Sequence, residues 1–589
     1  MGASISMNSK GRSAGRAWGR TCGMGGARRG IIAAALPVFF SLTLAPDRTE
    51  RLNRRMNAMT LPSTAHHKPE RGTDAADLQA LRQALQARGQ RDAQLLQTHI
   101  SWLLLGHEQA WKIKKPVRLP FADFSTLAQR RHFCDEELRL NQRLAPQLYL
   151  DVQPLWRNAQ GLLDFDPSAP GQPAAEWAVR MRRFADDALL RTRLEAGAAP
   201  LPAALHQLGQ RLARFHAQGA GAVVPQAEYG SVERIEADVR ALFAPLQRSA
   251  FAALVPQWQA WLDRQCAALR PIWQARRAGG FVREGHGDLH LGNLVMLGDA
   301  IVPFDCIEFQ PAMRWIDVAN DMAFLSMDLH AHGRSDLAAH VMDGWLQHSG
   351  DFAALQTWRF YEVYRALVRA MVAQISPPAV GPAEADAPPA GQQYAHCARQ
   401  WCQAAPAPAL FITCGASGSG KSTVAAACME QLGAIRIRSD VERKRLFGLD
   451  ALADSHAQGL DIYTPEATRR TFARLGELAE AALQAGWPVV VDAAFLQREQ
   501  RDALRALAQR LRLPFAILAC EAPAQTLRQR IAQRRSAAQD PSEASPELVA
   551  QQLQGRQPWG EEELPFVRRI DTSAPHWRAA LAAQLQAQR

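Results

Sequence analysis

Residues 286–309 read HGDLHLGNLVMLGDAIVPFDCIEF, and the spacing of three polar side chains in this stretch decides what the first half of the chain is built for. Asp288 is followed five residues later by Asn293, so one tight loop can carry a base for a hydroxyl and a ligand for a metal. Asp305 comes after the strand-like run Ala300 to Phe304, which can return it to the same place. Phosphoryl transfer needs an acceptor held in line and developing charge neutralised through Mg2+, and an Asp, Asn, Asp set supplies both. A bare H-G-D reads equally well as an Asx-rich turn with solvated acids. The whole spaced set is more specific.

Upstream, the residues read as a small lobe. Leu78, Leu81 and Leu85 recur at helical spacing, and Thr98 to Leu105 and Gln109 to Ile113 read as strands turning at Gly106. In AWKIKK, residues 110–115, alternation puts Ala110, Lys112 and Lys114 on one face. Ser125 or Thr126 can cap a following helix that carries Glu136 and Glu137. Val152 to Trp156 and Trp177 to Met181 read as further strands. Helices then dominate, with Leu205, Leu208, Leu212 and Phe215 on one stripe, His216 as a structural residue, and Asp317 and Asp321 opening a later helix.

The pattern H-G-D-x-x-x-x-N, a short strand and an Asp resembles the aminoglycoside phosphotransferase and choline kinase branch of the protein-kinase-like fold. By position, the resemblance implies Asp288 as catalytic base, Asn293 and Asp305 as Mg2+ ligands, and Asp321 as a brace for the catalytic loop. Ala-x-Lys on the third strand resembles the ATP-binding lysine strand of kinases. Lys112 is therefore the choice to meet the nucleotide phosphates, with Lys114 the alternative because both face the same way. Glu137 would pair with that lysine, or Glu136 in its place. The G-x-G-x-x-G phosphate loop of protein kinases is absent from this half.

A second nucleotide motif lies downstream. Leu410 to Cys414 is a buried-strand pattern that runs into GASGSGKST, residues 415–423, and then into the Ala-rich helix Val424 to Leu432. Glycines let successive backbone N–H groups turn inward on phosphates at a helix N-terminus. Gly415, Ser417, Gly418, Ser419, Gly420, Lys421, Ser422 and Thr423 are thus the ATP- or GTP-binding candidates, with Lys421 on the outer phosphates and Ser422 on Mg2+. Asp440, after the strand Ile435 to Ile437, is placed to take a proton from an acceptor hydroxyl. Asp492, after Val489 to Val491, reads as a further carboxylate on Mg2+. Arg530 and Arg534, four apart, read either as a lid-edge pair facing the transferred phosphate or as a plain basic helix. This half resembles P-loop kinases of the zeta-toxin, gluconate kinase and adenylylsulfate kinase type, in which Arg443 would hold substrate; Lys444 and Arg445 read as a solvated helix face. Together the halves resemble a bifunctional aminoglycoside phosphotransferase and P-loop ATP-binding protein.

Length and composition agree with two large domains. The 589 residues exceed what one core serves, and 47% apolar with 21% charged residues suits a globular enzyme. Ten basic residues stand against two acids before Met56, a net +8 of the chain's +11, so the body is near neutral and no specific nucleic acid is expected as partner. Nine dispersed cysteines without C-x-x-C read as reduced thiols. The apolar run Ile31 to Ala45 is too short to span a bilayer. It can be an export signal, but a kinase needs ATP, which favours a cytoplasmic chain starting at Met56 or Met59. The expectation is a multidomain α/β and α+β chain: residues 1–72 a disordered basic extension, 73–375 a two-lobed kinase-like domain, 376–408 a Pro/Ala-rich linker with a short helix, and 409–589 a three-layer α/β P-loop domain. Its expected work is transfer of the γ-phosphate to hydroxyl groups of small molecules at two sites. A rival reading makes one module a nucleotide-binding regulator of the other or of a partner, and a third gives the P-loop half a nucleic-acid or peptidoglycan-precursor acceptor.

Overall fold

Asp74 and Asp77 open α1 (Ala75–Ala87) as a reciprocal capping box, each carboxylate accepting the other's backbone N–H at 3.0 and 3.1 Å. This is a computed structural model, and it describes residues 72–90, 92–119, 122–198, 202–219, 221–375, 389–403, 407–537, 541–543 and 546–586. The basic extension, its apolar run and both candidate start methionines lie outside them.

α1 covers a sheet of β1 (Gln94–Gln97), β2 (Ser101–Leu105), β3 (Gln109–Lys114), β4 (Tyr149–Arg157), β5 (Leu163–Asp164) and β6 (Glu176–Arg182). The order is β1-β2-β3-β6-β4-β5, with antiparallel pairing throughout. β1 is a strand the sequence reading lacks. β2 starts three residues later than the apolar run suggests, because Thr98 closes a turn on Ser101 through backbone and hydroxyl. Trp111 and Ile113 enter the apolar core with Leu78, Leu81, Leu104 and Leu155. Lys112 and Lys114 consequently face the other way, towards α2 (Leu127–Gln142). Thr126 caps α2 in a second capping box with Gln129, and Arg130, Cys134, Glu137 and Asn141 form its buried face.

The larger lobe holds α3 (Pro202–Gln218), α4 (Val232–Gln247), the hairpin β7 (Leu294–Leu297) and β8 (Ala300–Pro303), then α5 (Val318–Ala331), α6 (Ser335–Ser349), α7 (Leu355–Ile375) and α8 (Gln392–Gln403). α3 and α6 cross at glycines: a Cβ on Gly344 would stand 2.0 Å from the His206 carbonyl oxygen, and one on Gly209 2.2 Å from that of Val341. Both obstacles are backbone and cannot swing aside. Gly344→Ala is therefore expected to destabilise the chain by about 3 kcal/mol, read as a lowered urea midpoint at unchanged slope. An unshifted midpoint would mean the helices can part freely.

α8 sits where composition suggests a linker, yet Tyr394, Ala395 and Ala398 are buried in the same core as α5 and α7. The Tyr394 hydroxyl donates to Asp328 at 2.9 Å. The short helix expected within this Pro- and Ala-rich stretch packs as part of the helical lobe.

The second half is a five-stranded parallel sheet. Its elements are β9 (Leu410–Cys414), α9 (Lys421–Leu432), β10 (Ile435–Arg438), α10 (Ser439–Leu446), α11 (Pro465–Gln484), β11 (Val489–Asp492), α12 (Arg498–Leu511), β12 (Phe515–Glu521), α13 (Ala524–Ala537) and β13 (Val567–Asp571). The strand order is β10-β11-β9-β12-β13. Leu410 and Ile412 face one core and Phe411 the other, as a parallel sheet covered on both sides requires. The first of these cores is continuous with that of the helical lobe. Polar contacts reinforce the seam: Asp343 of α6 stands between His206 at 3.1 Å and Arg436 of β10. Gln347 donates to the Arg436 carbonyl at 2.7 Å, and Trp487 to that of Leu355 at 3.1 Å. Among the described residues no helix is long and apolar enough to cross a membrane.

Candidate active sites

The loop around Asp288 is held from behind by Asp321, near the start of α5. Its carboxylate accepts the His286 N–H at 2.8 Å and the Gly287 N–H at 2.9 Å, and lies 3.1 Å from His216 Nε2. Trp345 donates its indole N–H to His216 Nδ1 at 3.1 Å. Indole can only donate, so His216 carries its proton on Nε2, pointing at Asp321. Burial alone would push the Asp321 carboxyl up, but His216 and His286 hold it well below the usual carboxylate range. His216 is structural, as its sequence context suggests, and Asp321 braces the loop. Gly287 turns the chain at φ 84°, and a Cβ there would meet the Met313 carbonyl at 2.8 Å.

Within the loop, Asn293 Nδ2 donates to both the Asp288 carbonyl and its Oδ2, each at 3.0 Å. His290 accepts the Gly292 N–H on Nδ1, which leaves Nε2 facing Asp288 Oδ2 at 3.3 Å. Burial raises the Asp288 carboxyl, and His290, with Arg369 and His286 behind it, more than offsets this, so Asp288 sits below its ordinary value. The β7–β8 hairpin returns Phe304 to donate to the Asn293 carbonyl at 3.0 Å, which sets Asp305 beside the loop. Asp305 has φ 65°, a left-handed backbone uncommon outside glycine, and its N–H donates to the Tyr149 hydroxyl at 3.2 Å. Such strain collects at functional positions.

Asp305 reaches the small lobe. Lys112 Nζ lies 2.6 Å from Asp305 Oδ1 and 2.7 Å from Glu137 Oε1. Burial disfavours the charged lysine, but Asp305 and Glu137 reverse this and raise it well above the usual range. Lys114 is fully buried behind it, between Glu137 and Glu308. Both lysines thus engage Glu137, and only Lys112 spans to Asp305. Glu136 points outward to Arg139 and Arg314. Glu308 and Tyr149 were not legible as site residues; their role is set by contacts more than a hundred residues apart along the chain.

At the second site, Gly415, Gly418 and Gly420 take φ of 154°, 81° and 83°. A Cβ on Gly415 would stand 2.5 Å from Ser419 Oγ, and one on Gly418 2.6 Å from the Leu527 carbonyl. The loop closes on the N-terminus of α9, with Ser419 buried, Ser422 half-buried and Thr423 exposed in its first turn. Ser417 donates its N–H to Gln552 at 2.7 Å, and Lys421 folds onto the Ala416 carbonyl at 2.9 Å. Burial lowers Lys421, against the pull of Asp492 and Asp440. Asp492 ends β11 opposite Arg438, whose Nε is 3.6 Å away.

Lys444 and Arg445 sit differently from expectation. Lys444 is buried, 3.1 Å from Glu543, and Arg445 reaches across to Glu442 and the Gln347 carbonyl, so neither belongs to a solvated face. Arg530 grips the P-loop from outside, donating to the Gly418 carbonyl at 3.3 Å and to Thr572 at 2.9 and 3.0 Å. Arg443 is buried and donates to the Ile462 carbonyl at 2.9 Å beneath Tyr463. The side chain of Arg534, on α13, lies outside the described residues.

Both sites suit a divalent ion shared with phosphates. Among the described residues, Asn293 Oδ1 and Asp492 Oδ2 are buried acceptors without a hydrogen-bond donor. No group of three or more His, Cys, Asp or Glu among the described residues could hold a metal on its own. Few oxygen ligands from protein, the rest from phosphate and water, is the Mg2+ pattern.

A family model described as an AAA domain matches residues 410–559. Uncharacterized protein Rv2004c of Mycobacterium tuberculosis is 30% identical over 501 residues, 82% of this chain and 93% of that protein, and Mb2027c of Mycobacterium bovis gives the same values. Among solved structures, a choline/ethanolamine kinase family protein from Mesorhizobium loti is 13% identical, covering 53% of this chain and 88% of its own at a TM-score of 0.33. A gluconokinase from Sinorhizobium meliloti is 24% identical, covering 30% of this chain and 93% of its own at a TM-score of 0.24.

Proposed function

The chain belongs to the family of the mycobacterial protein Rv2004c, and from its two sites we propose a nucleotide-dependent phosphotransferase with two modules, each moving a γ-phosphoryl group to a hydroxyl of a small molecule. The observation that carries the reading is Lys112 held between Glu137 and Asp305. That arrangement ties the nucleotide-facing lysine of one lobe to the metal-facing carboxylate of the other, the assembled state of a kinase-like site.

In the first module Asp288 takes the acceptor proton, with His290 and Asn293 orienting its carboxylate and Asp321 fixing the loop. Lys112 neutralises phosphate charge. Asn293 and Asp305 would hold Mg2+, which supplies further neutralisation of the phosphate oxygens. In the second module the backbone N–H groups of 415–420 and Lys421 cradle the phosphates, Ser422 and Asp492 are the candidate Mg2+ groups, and Asp440 is the base. Arg530 positions the loop. A chain that uses ATP this way is proposed to work in the cytoplasm.

Nucleotide stoichiometry tests the two-module reading. Calorimetric titration of the full chain with ATP and Mg2+ is expected to give two sites, and Lys112→Ala or Lys421→Ala is expected to remove one each. A single site in the unsubstituted chain would defeat the proposal.

A further inference from the structure

Beside Asp288 lies a small cavity of about 40 Å3 lined also by Arg234, Asp238, Asn320, Tyr364 and Arg365. A second hollow of about 30 Å3 shares the first four of these residues and extends it along α4 and α7. The charges in this hollow are unevenly matched. Asp238 is engaged by Arg234 at 2.9 Å, and Asp288 by Asn293 at 3.0 Å. Arg365 is 5% exposed and donates only through Nε, to Asn320 Oδ1 at 2.7 Å, with no carboxylate partner among the described residues. Its guanidinium lies 4.6 Å from the ring centre of Phe324 and 5.7 Å from that of Tyr364, so its plane is fixed by packing. Asp238 acts on it only at longer range; a buried cation without a direct ion pair is costly, and a fixed guanidinium fork is shaped for carboxylate or phosphate oxygens.

We infer that the acceptor of the kinase-like site carries an anionic group, a carboxylate or a phosphate, which Arg365 holds while Asp288 receives the proton of a neighbouring hydroxyl. The inference rests on the phosphotransferase reading and adds the substrate class. In the transfer, the bond from the γ-phosphorus to the bridging oxygen of the nucleotide breaks as the acceptor oxygen bonds to that phosphorus. The hydroxyl proton passes to Asp288 and the nucleoside diphosphate leaves. A polycationic acceptor would bring like charge onto Arg365 and find Asp238 already engaged by Arg234.

The test uses the full-length chain with Lys421→Ala, so that the kinase-like site is read alone, saturated with a non-hydrolysable ATP analogue and Mg2+. The probes are glycerate, glycerol 3-phosphate, glycerol and choline, titrated by calorimetry; the first two separate carboxylate from phosphate. At least one anionic probe is expected to bind about tenfold or more tighter than glycerol or choline. Arg365→Gln is expected to weaken it by about ten- to a hundredfold, with Arg365→Lys recovering part of the loss. If Arg365→Gln does not fold, the probe ranking and Arg365→Lys decide. No anionic binding, binding indifferent to Arg365, or equal binding of glycerol or choline overturns the inference. Labelled ATP then separates the two claims. Transfer to glycerol or choline in preference sinks the anionic acceptor and leaves the phosphotransferase, whereas anionic binding with no Asp288-dependent transfer to any bound probe sinks the phosphotransferase at this site.

Discussion

Asp288→Asn is expected to lower phosphoryl transfer at the kinase-like site by about 10^2- to 10^4-fold, the usual worth of a positioned general base, while turnover at the P-loop site continues. The substitution keeps the shape of the side chain and its contact with Asn293, so nucleotide affinity at this site should change little. A loss confined to kcat identifies an interaction made in the transition state. The pH profile adds an independent reading. Burial would push Asp288 up, but His290 and the more distant Arg369 hold it below the ordinary 3.8. It is therefore ionised across the neutral range, and the acid limb of kcat/KM is expected below about pH 4. Full activity in the Asn variant, measured with labelled ATP and Lys421→Ala as background, would remove Asp288 from the chemistry.

The largest expected loss of stability follows from Lys114→Met. Lys114 is fully buried between Glu137 and Glu308, and its removal leaves two carboxylates facing each other away from water. Breaking a buried ion pair from one side costs about 3–5 kcal/mol. Burial already raises the Glu308 carboxyl, so Glu308 is the group expected to protonate in the variant. Adding Glu308→Gln should then restore much of the urea midpoint. A double variant no better than the single would show that the lysine acts by packing alone.

The residues that sequence makes legible are those whose role depends on near neighbours in the chain. Asp288 and Asn293 share one loop, and residues 415–423 need only the strand before and the helix after them. Lys112 and Lys114 stay ambiguous in sequence because alternation sends both to the same face; distance to Asp305, nearly two hundred residues on, separates them. Lys444 looks like a solvated helix residue until Glu543 closes over it. Arg365 carries no motif at all, since only folding brings it to the hollow beside Asp288. α8 is misleading for a different reason: the Pro, Ala and Gly around it are linker composition, and only Tyr394 reaching Asp328 shows where the helix belongs.

α6 has a use beyond its own lobe. One side of it is pressed backbone to backbone on α3, where His216 sits, and the other grips Arg436 on the strand that leads into Asp440. Both candidate sites therefore lean on a common keel, and damage there is expected to silence both assays together. A variant that loses a single activity can be blamed on its own pocket; one that loses the pair should first be suspected at this beam.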